Sequence, residues 1–138
     1  MAYTSTSIKI SASPEKVWQL IGGFDSLPDW LPYIPNSEVT EGGRVRHLAN
    51  PDGDAIAERL VAFNDKERYY TYSIMKAPFP VKDYESTLQV KADADGKSSL
   101  IEWSGSFTPV GVSDQEAIDL FHGIYKDGLE ALQQSFQD

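Results

Sequence analysis

Arg46 and Glu58 lie on either side of Pro51-Asp52-Gly53, in two runs of alternating residues. A hairpin centred on Asp52 places them directly opposite each other on one face. Further along, "RYYTYSIM" (68–75) has the period of a strand, with Tyr70, Tyr72 and Ile74 on one face and Tyr69, Thr71 and Ser73 on the other. If the Arg46/Glu58 and Tyr70/Tyr72 faces meet one interior, a guanidinium, a carboxylate and two phenols share it. Glu58 could then act as general acid or base, its pKa tuned by burial and by Arg46, while tyrosine hydroxyls stabilise an enolate-like oxygen. The same set could orient the polar end of a ligand. An outward Arg–Glu pair on a solvated strand is the plain alternative, and it would be worth little.

Other chemistries find no support. The chain has no cysteine, which removes disulfides, thiolate metal sites and cysteine nucleophiles. Of its two histidines, His47 alternates away from Arg46 and Leu48. His122 sits at the edge of a helical apolar sector, where it either enters an interior or makes a surface hydrogen bond. Neither has zinc-ligand spacing. Gly22-Gly23 and Gly42-Gly43 read as turns without a phosphate-loop pattern, and no serine has the partners of a nucleophilic triad. No metal and no cofactor are expected.

With 138 residues, 41% hydrophobic and 24% charged, the chain reads as one globular domain, 1–138. Acidic residues outnumber basic ones 21 to 12, for a formal charge of −9. That field disfavours nucleic acid and anionic membrane surfaces. No signal peptide or bilayer-spanning run is visible, so a cytoplasmic location without membrane insertion is the expectation.

The elements that must position these residues follow from pattern. A first strand is expected over Thr4–Ser11, and Ser13-Pro14 reads as the N-cap and first residue of a helix. Val17, Leu20, Ile21 and Phe24 give that helix its buried stripe. The stretch "FDSLPDWLPYIP" suggests short turns or a broken helix. Six strands follow, at about 36–42, 44–50, 54–64, 67–76, 82–93 and 98–108. Asp95-Gly96 is read as a two-residue type I′ turn, which pairs Val90 with Ile101, Leu88 with Trp103 and Tyr84 with Phe107. Ser113 to Glu116 is a capping box opening a last helix. That helix carries two adjoining apolar stripes, one with Ala117, Phe121, Ile124 and Gly128, the other with Ile118, His122, Tyr125, Leu129 and Leu132. Gly128 thins it, either for close packing or to leave room for a ligand. The order implies an α+β fold, in which a curved antiparallel sheet wraps a long C-terminal helix and two short helices follow the first strand.

In such a fold helix and sheet need not meet everywhere, and the gap is a pocket. Trp30, Tyr70, Tyr72, Tyr84, Trp103 and Phe107 are its expected aromatic lining, with Phe121 and Gly128 on the helix side. Trp30, held between prolines, is either a lid or a plug closing one end of the sheet. Phe79, in "KAPFPVKD" (76–83), either gates the pocket or anchors a homodimer. Three functions are compatible: binding of a small hydrophobic or amphipathic molecule, acid–base catalysis on such a molecule, and a pure interaction role for exposed loop aromatics.

The chain resembles the START-like, or SRPBCC, superfamily, and within it the bacterial polyketide cyclase/dehydrase-like branch. The residues that carry this are "SASPEKVWQLIGGFDSLPDWLP" (11–32), "GGRVRHL…DGDAIAERLVAFND" (42–65), "RYYTYSI" (68–74), "YESTLQV" (84–90), "IEWSGSFTP" (101–109) and "IYKDGLEALQQSF" (124–136). The resemblance implies a helix-grip fold around an apolar or amphipathic cavity. In the similar birch-pollen-allergen-like proteins, the positions matching Glu58, Tyr70 and Tyr72 face the cavity, and those matching Arg46 and Leu48 also point inward. The implied ligand is lipid-, polyketide- or aromatic-like, and the implied enzymatic alternative is a cyclase, dehydratase or isomerase.

Overall fold

A computed structural model describes residues 1–49, 52–53 and 55–136. Seven antiparallel strands form one curved sheet in the order β1-β7-β6-β5-β4-β3-β2. They are β1 (Ala2–Ile10), β2 (Asn36–Thr40), β3 (Val45–Ala49), β4 (Ala55–Asn64), β5 (Tyr69–Lys76), β6 (Val81–Ala92) and β7 (Ser99–Pro109). Helices α1 (Pro14–Ile21) and α2 (Leu27–Trp30) follow β1, and α3 (Asp114–Ser135) closes the chain. This is the helix-grip arrangement.

Local chemistry sets the element ends. Ser13 Oγ accepts the Lys16 N–H at the start of α1, with Pro14 where a missing N–H costs nothing. Ser113 Oγ accepts the Glu116 N–H and donates to the Glu116 carboxylate, which nucleates α3. The expected extension of β2 to residue 42 fails because Glu41, Gly42 and Gly43 all take positive φ, forming a short 3₁₀ turn. β5 begins at Tyr69 because Arg68 is left-handed, with φ of 58°.

The β6–β7 register agrees with the expectation for Val90–Ile101 and Leu88–Trp103. The turn does not. Asp93 N–H donates to the Ser98 carbonyl, and Ala94 to Lys97 form a four-residue loop. The Asp95 carboxylate accepts the Lys97 and Ser98 N–H groups there, so Asp95 stabilises a longer loop instead of a two-residue turn. Tyr84 does not pair with Phe107 either. Asp83, with φ of 53°, sits in a bulge between the Lys82–Thr108 and Glu85–Ser106 pairs. The two rings still stack, with centroids 6.0 Å apart.

Helix α3 packs on β1 and β7, at one side of the sheet. Its buried face takes Ala117, Phe121 and Gly128 from one expected stripe and Tyr125, Leu129 and Leu132 from the other. His122 is exposed, as is His47. The central strands are left to be roofed by α2 and the segment after it.

Two glycines set how closely α3 approaches. A Cβ on Gly128 would lie 2.6 Å from the Trp103 ring and 2.8 Å from the Tyr33 hydroxyl. A Cβ on Gly105 of β7 would overlap the Tyr125 hydroxyl. Gly105→Ala is expected to destabilise the protein by about 1–3 kcal/mol through overpacking. Adding Tyr125→Phe should recover part of that loss, a non-additivity readable in urea denaturation. Strict additivity would show that the Gly105–Tyr125 contact is not the cause.

Candidate functional site

The floor of the site is laid by strand register. Arg46 of β3 pairs with Glu58 of β4, and Leu48 with Ile56. Both pairs face inward, so the hairpin centre at Asp52 holds; the neighbouring residues 50, 51 and 54 lie outside the described residues. The β4–β5 ladder is irregular on both sides of Glu58–Leu60, with an extra residue at Met75 of β5 and another at Val61 of β4. Such irregularities bend a strand and re-aim its side chains.

Arg46 is 1% exposed and Glu58 6%. Arg46 Nε donates to Glu58 Oε1 at 2.8 Å, and Nη2 approaches the same oxygen at 2.8 Å. Nη1 donates to the Phe24 carbonyl at 3.2 Å and to the Tyr70 hydroxyl at 3.3 Å. The guanidinium carbon lies 4.2 Å from the Phe24 ring centre and 4.6 Å from that of Tyr72. Four of the five Arg46 N–H groups are therefore taken up by protein acceptors. Among the described residues Glu58 Oε2 has no hydrogen-bond partner.

Burial pushes the Glu58 carboxyl above its ordinary value, and Arg46 pulls it back only in part. For Arg46, burial opposes the charge, but Glu58 with the Tyr70 and Tyr72 phenols more than offsets it, holding the guanidinium above its ordinary value. Burial also raises the Tyr72 and Tyr84 phenols well above theirs, and Tyr125 up to about 12. These hydroxyls are hydrogen-bond donors at neutral pH, not bases.

A second polar station lies toward α3. The Tyr84 and Tyr125 hydroxyls bond each other. Trp103 Nε1 donates to Ser86 Oγ at 3.1 Å and to the Tyr72 hydroxyl at 3.2 Å, and Ser86 Oγ donates to the Ser104 carbonyl. The strand interior thus satisfies its polar atoms by linking them across β5, β6 and β7.

Between the two stations is a cavity of about 220 Å³. Arg46, Leu48, Glu58, Tyr72, Tyr84 and Trp103 line it from the sheet, together with Ile56 and Ile74. Phe121, Ile124 and Tyr125 line it from α3, and Phe79 from the β5–β6 loop. Leu27, Leu31, Tyr33 and Ile34 form its roof. The Tyr33 hydroxyl donates to the Ile124 carbonyl at 2.8 Å, tying roof to helix.

Four expected lining residues lie elsewhere. Tyr70 is behind Arg46, its hydroxyl turned to the guanidinium. Phe107 is behind Tyr84 and Phe121, stacked on the first and tilted against the second. Trp30 is 3% exposed and packs on Trp103, a plug and not a lid, and its indole N–H has no partner among the described residues. Gly128 serves close packing against Trp103 and Tyr33. Phe79 is half-buried against Phe121, with ring centres 5.3 Å apart. Tyr33, Ile124 and Tyr125 were not expected in the site. Gly105 was the available signal for Tyr125, since a glycine inside a strand marks close approach.

Arg46→Met is expected to cost about 3–5 kcal/mol, because it strands a buried carboxylate. Arg46→Met with Glu58→Leu should be far less damaging, and chemical denaturation distinguishes the two. The pH dependence of Glu58 has a definite sign. A carboxyl raised in the native state binds its proton more tightly there than in the unfolded chain. Its contribution is complete below the ordinary carboxyl value, about pH 4.3, and is lost as pH rises through the native value. The stability of the wild type relative to Glu58→Gln should therefore fall over that window. A gap that widens with pH would mean that Arg46, not burial, dominates the carboxyl.

The model of a family described as "Polyketide cyclase / dehydrase and lipid transport" matches residues 1–137. The structure of the XoxI protein from Bacillus cereus is 74% identical, with a TM-score of 0.98 over 100% of this chain and 97% of that one. An uncharacterised Bacillus thuringiensis protein is 71% identical, with a TM-score of 0.98 over 99% of this chain and 100% of that one. A START superfamily protein from Mycobacterium smegmatis shares the fold at 14% identity, with a TM-score of 0.80 over 99% of this chain and 97% of that one. This chain belongs to the polyketide cyclase/dehydrase and lipid transport family, within the START-like superfamily.

Proposed function

We propose that residues 1–138 form one START-like domain that binds a small hydrophobic or amphipathic molecule in the cavity between sheet and α3. The observation that carries this reading is the cavity of about 220 Å³, with mostly apolar walls and a buried Arg46–Glu58 pair at one side. Space of this kind forfeits packing contacts, and a ligand restores them. The family description, which names lipid transport beside cyclase and dehydrase activity, supports a cavity put to use.

The proposed contacts are Leu48, Ile56, Ile74 and Phe121 for apolar surface, Trp103 and Tyr84 for ring faces, and Glu58 with Tyr72 for polar groups. Phe79 stands beside the roof as the gate residue. Acid–base chemistry on the bound molecule is a second reading, favoured by one observation, the raised carboxyl of Glu58 inside the cavity. In that reading Glu58 exchanges a proton with the ligand while Tyr72 donates to the developing oxyanion.

A panel of alkylbenzenes, alkylphenols and medium-chain fatty acids tests binding through thermal melting. At a hundred times its dissociation constant, a ligand of the native state adds about 2.7 kcal/mol. At least one class should raise the melting temperature, and Ile74→Phe, which fills the cavity, should abolish the rise. No shift with any class would leave the cavity without a binding role.

A further inference from the structure

The cavity's polar groups specify a ligand more narrowly than its apolar walls do. Glu58 presents one acceptor, because Arg46 Nε and Nη2 both fall on Oε1 and leave Oε2 free among the described residues. Tyr72 presents one donor. Its oxygen accepts the Trp103 Nε1–H, and Ser86 Oγ, the protein group beside it, already accepts from Trp103 and donates to the Ser104 carbonyl, so the Tyr72 O–H can turn to a ligand in the cavity. Both residues line the same space. An acceptor beside a donor is the complement of a single hydroxyl, which gives one hydrogen bond and takes one.

Three further observations narrow the class. Arg46 directs four of its five N–H groups at Glu58, Phe24 and Tyr70 and has rings over its faces, so its charge is already paired with Glu58 and it makes a poor receptor for a second anion. A ligand carboxylate would meet Glu58 with no cation but the already paired Arg46 among the described lining residues, after approaching a chain of net charge −9. The volume of about 220 Å³ is somewhat larger than the ~150 Å³ apolar cavity that takes up benzene. A single ring with a short substituent matches that volume. The walls are ring faces and branched aliphatics, namely Trp103, Tyr84, Phe121, Leu48, Ile56 and Ile74.

We propose that the ligand is a neutral, single-ring hydroxy compound of the phenol type, whose hydroxyl donates to Glu58 Oε2 and accepts from the Tyr72 O–H. This rests on the binding reading above and selects one chemical class within it. It assigns Arg46 a positioning role: it holds Glu58 so that one carboxylate oxygen faces the cavity.

The test compares ligands of matched shape by titration calorimetry. 4-Ethylphenol can donate and accept, 4-ethylanisole can only accept, ethylbenzene does neither, and octanoate supplies a chain and a carboxylate. The phenol should bind at least about tenfold more tightly than the anisole, as a hydrogen bond to a charged acceptor allows. Glu58→Gln turns an amide N–H toward the cavity if Arg46 keeps the carbonyl oxygen, and should erase or reverse that preference. Tyr72→Phe should weaken phenol and anisole alike. If Glu58→Gln fails to fold, the wild-type ladder still decides. Equal binding of phenol, anisole and hydrocarbon overturns hydroxyl recognition while leaving the cavity a binding site. Tighter binding of octanoate than of 4-ethylphenol overturns the ligand class in the same way. Absence of binding by all four overturns this proposal and the binding reading together.

Discussion

A charged pair taken out of water is the constraint on which the interior is built. Removing a guanidinium and a carboxylate from solvent costs several kcal/mol each, and their attraction repays this only when the remaining donors are also satisfied. Arg46 meets that demand with contributions from three separate elements. Glu58 comes from β4, Tyr70 and Tyr72 from β5, and the Phe24 carbonyl from the segment between α1 and α2. None of these groups can move without unsatisfying the cation. The pair is thus a weak source of net stability and a strong specification of which strands lie where.

That specification explains why the cavity survives. A protein interior closes gaps when side chains can collapse into them. Here the sheet side is held open by the Arg46 cluster and by rings braced on one another, from Tyr70 and Tyr72 to Tyr84 and Phe121. The helix side is held by contact at two glycines, where α3 meets β7 closely and goes no further. Close contact at one side of the sheet and a rigid polar cluster at the other leave the space between them unfilled.

Much of the fold was legible because it follows from local or short-range rules. Ser13-Pro14 and Ser113 with Glu116 mark helix starts by capping chemistry within four residues. The Arg46–Glu58 pairing follows from a hairpin centre and the two-residue period of strands. What failed was set by irregular backbone or by distant contacts. The bulge at Asp83 has no strong local signature, so strand period alone assigns Tyr84 a regular partner. Asp95-Gly96 carries the residues of a tight turn, yet the Asp95 carboxylate binds two backbone N–H groups and favours a longer loop. Tyr70 and Tyr72 share a face, but only Tyr72 lines the cavity, because Arg46 occupies the space over Tyr70. Tyr33 joins the site through a bond to Ile124, 91 residues away, and no periodicity within either segment announces it.

The Tyr33–Ile124 bond has a mechanical meaning. The Ile124 carbonyl is the fourth-residue acceptor for the Gly128 N–H within α3, and the missing side chain at Gly128 lets the phenol reach it as well. The roof is therefore fastened to the helix by this bond, while Trp30 of α2 rests on Trp103 of β7. The cover of the interior works as a keystone, bearing on both walls at once, and a shift of either wall is felt by the other through it.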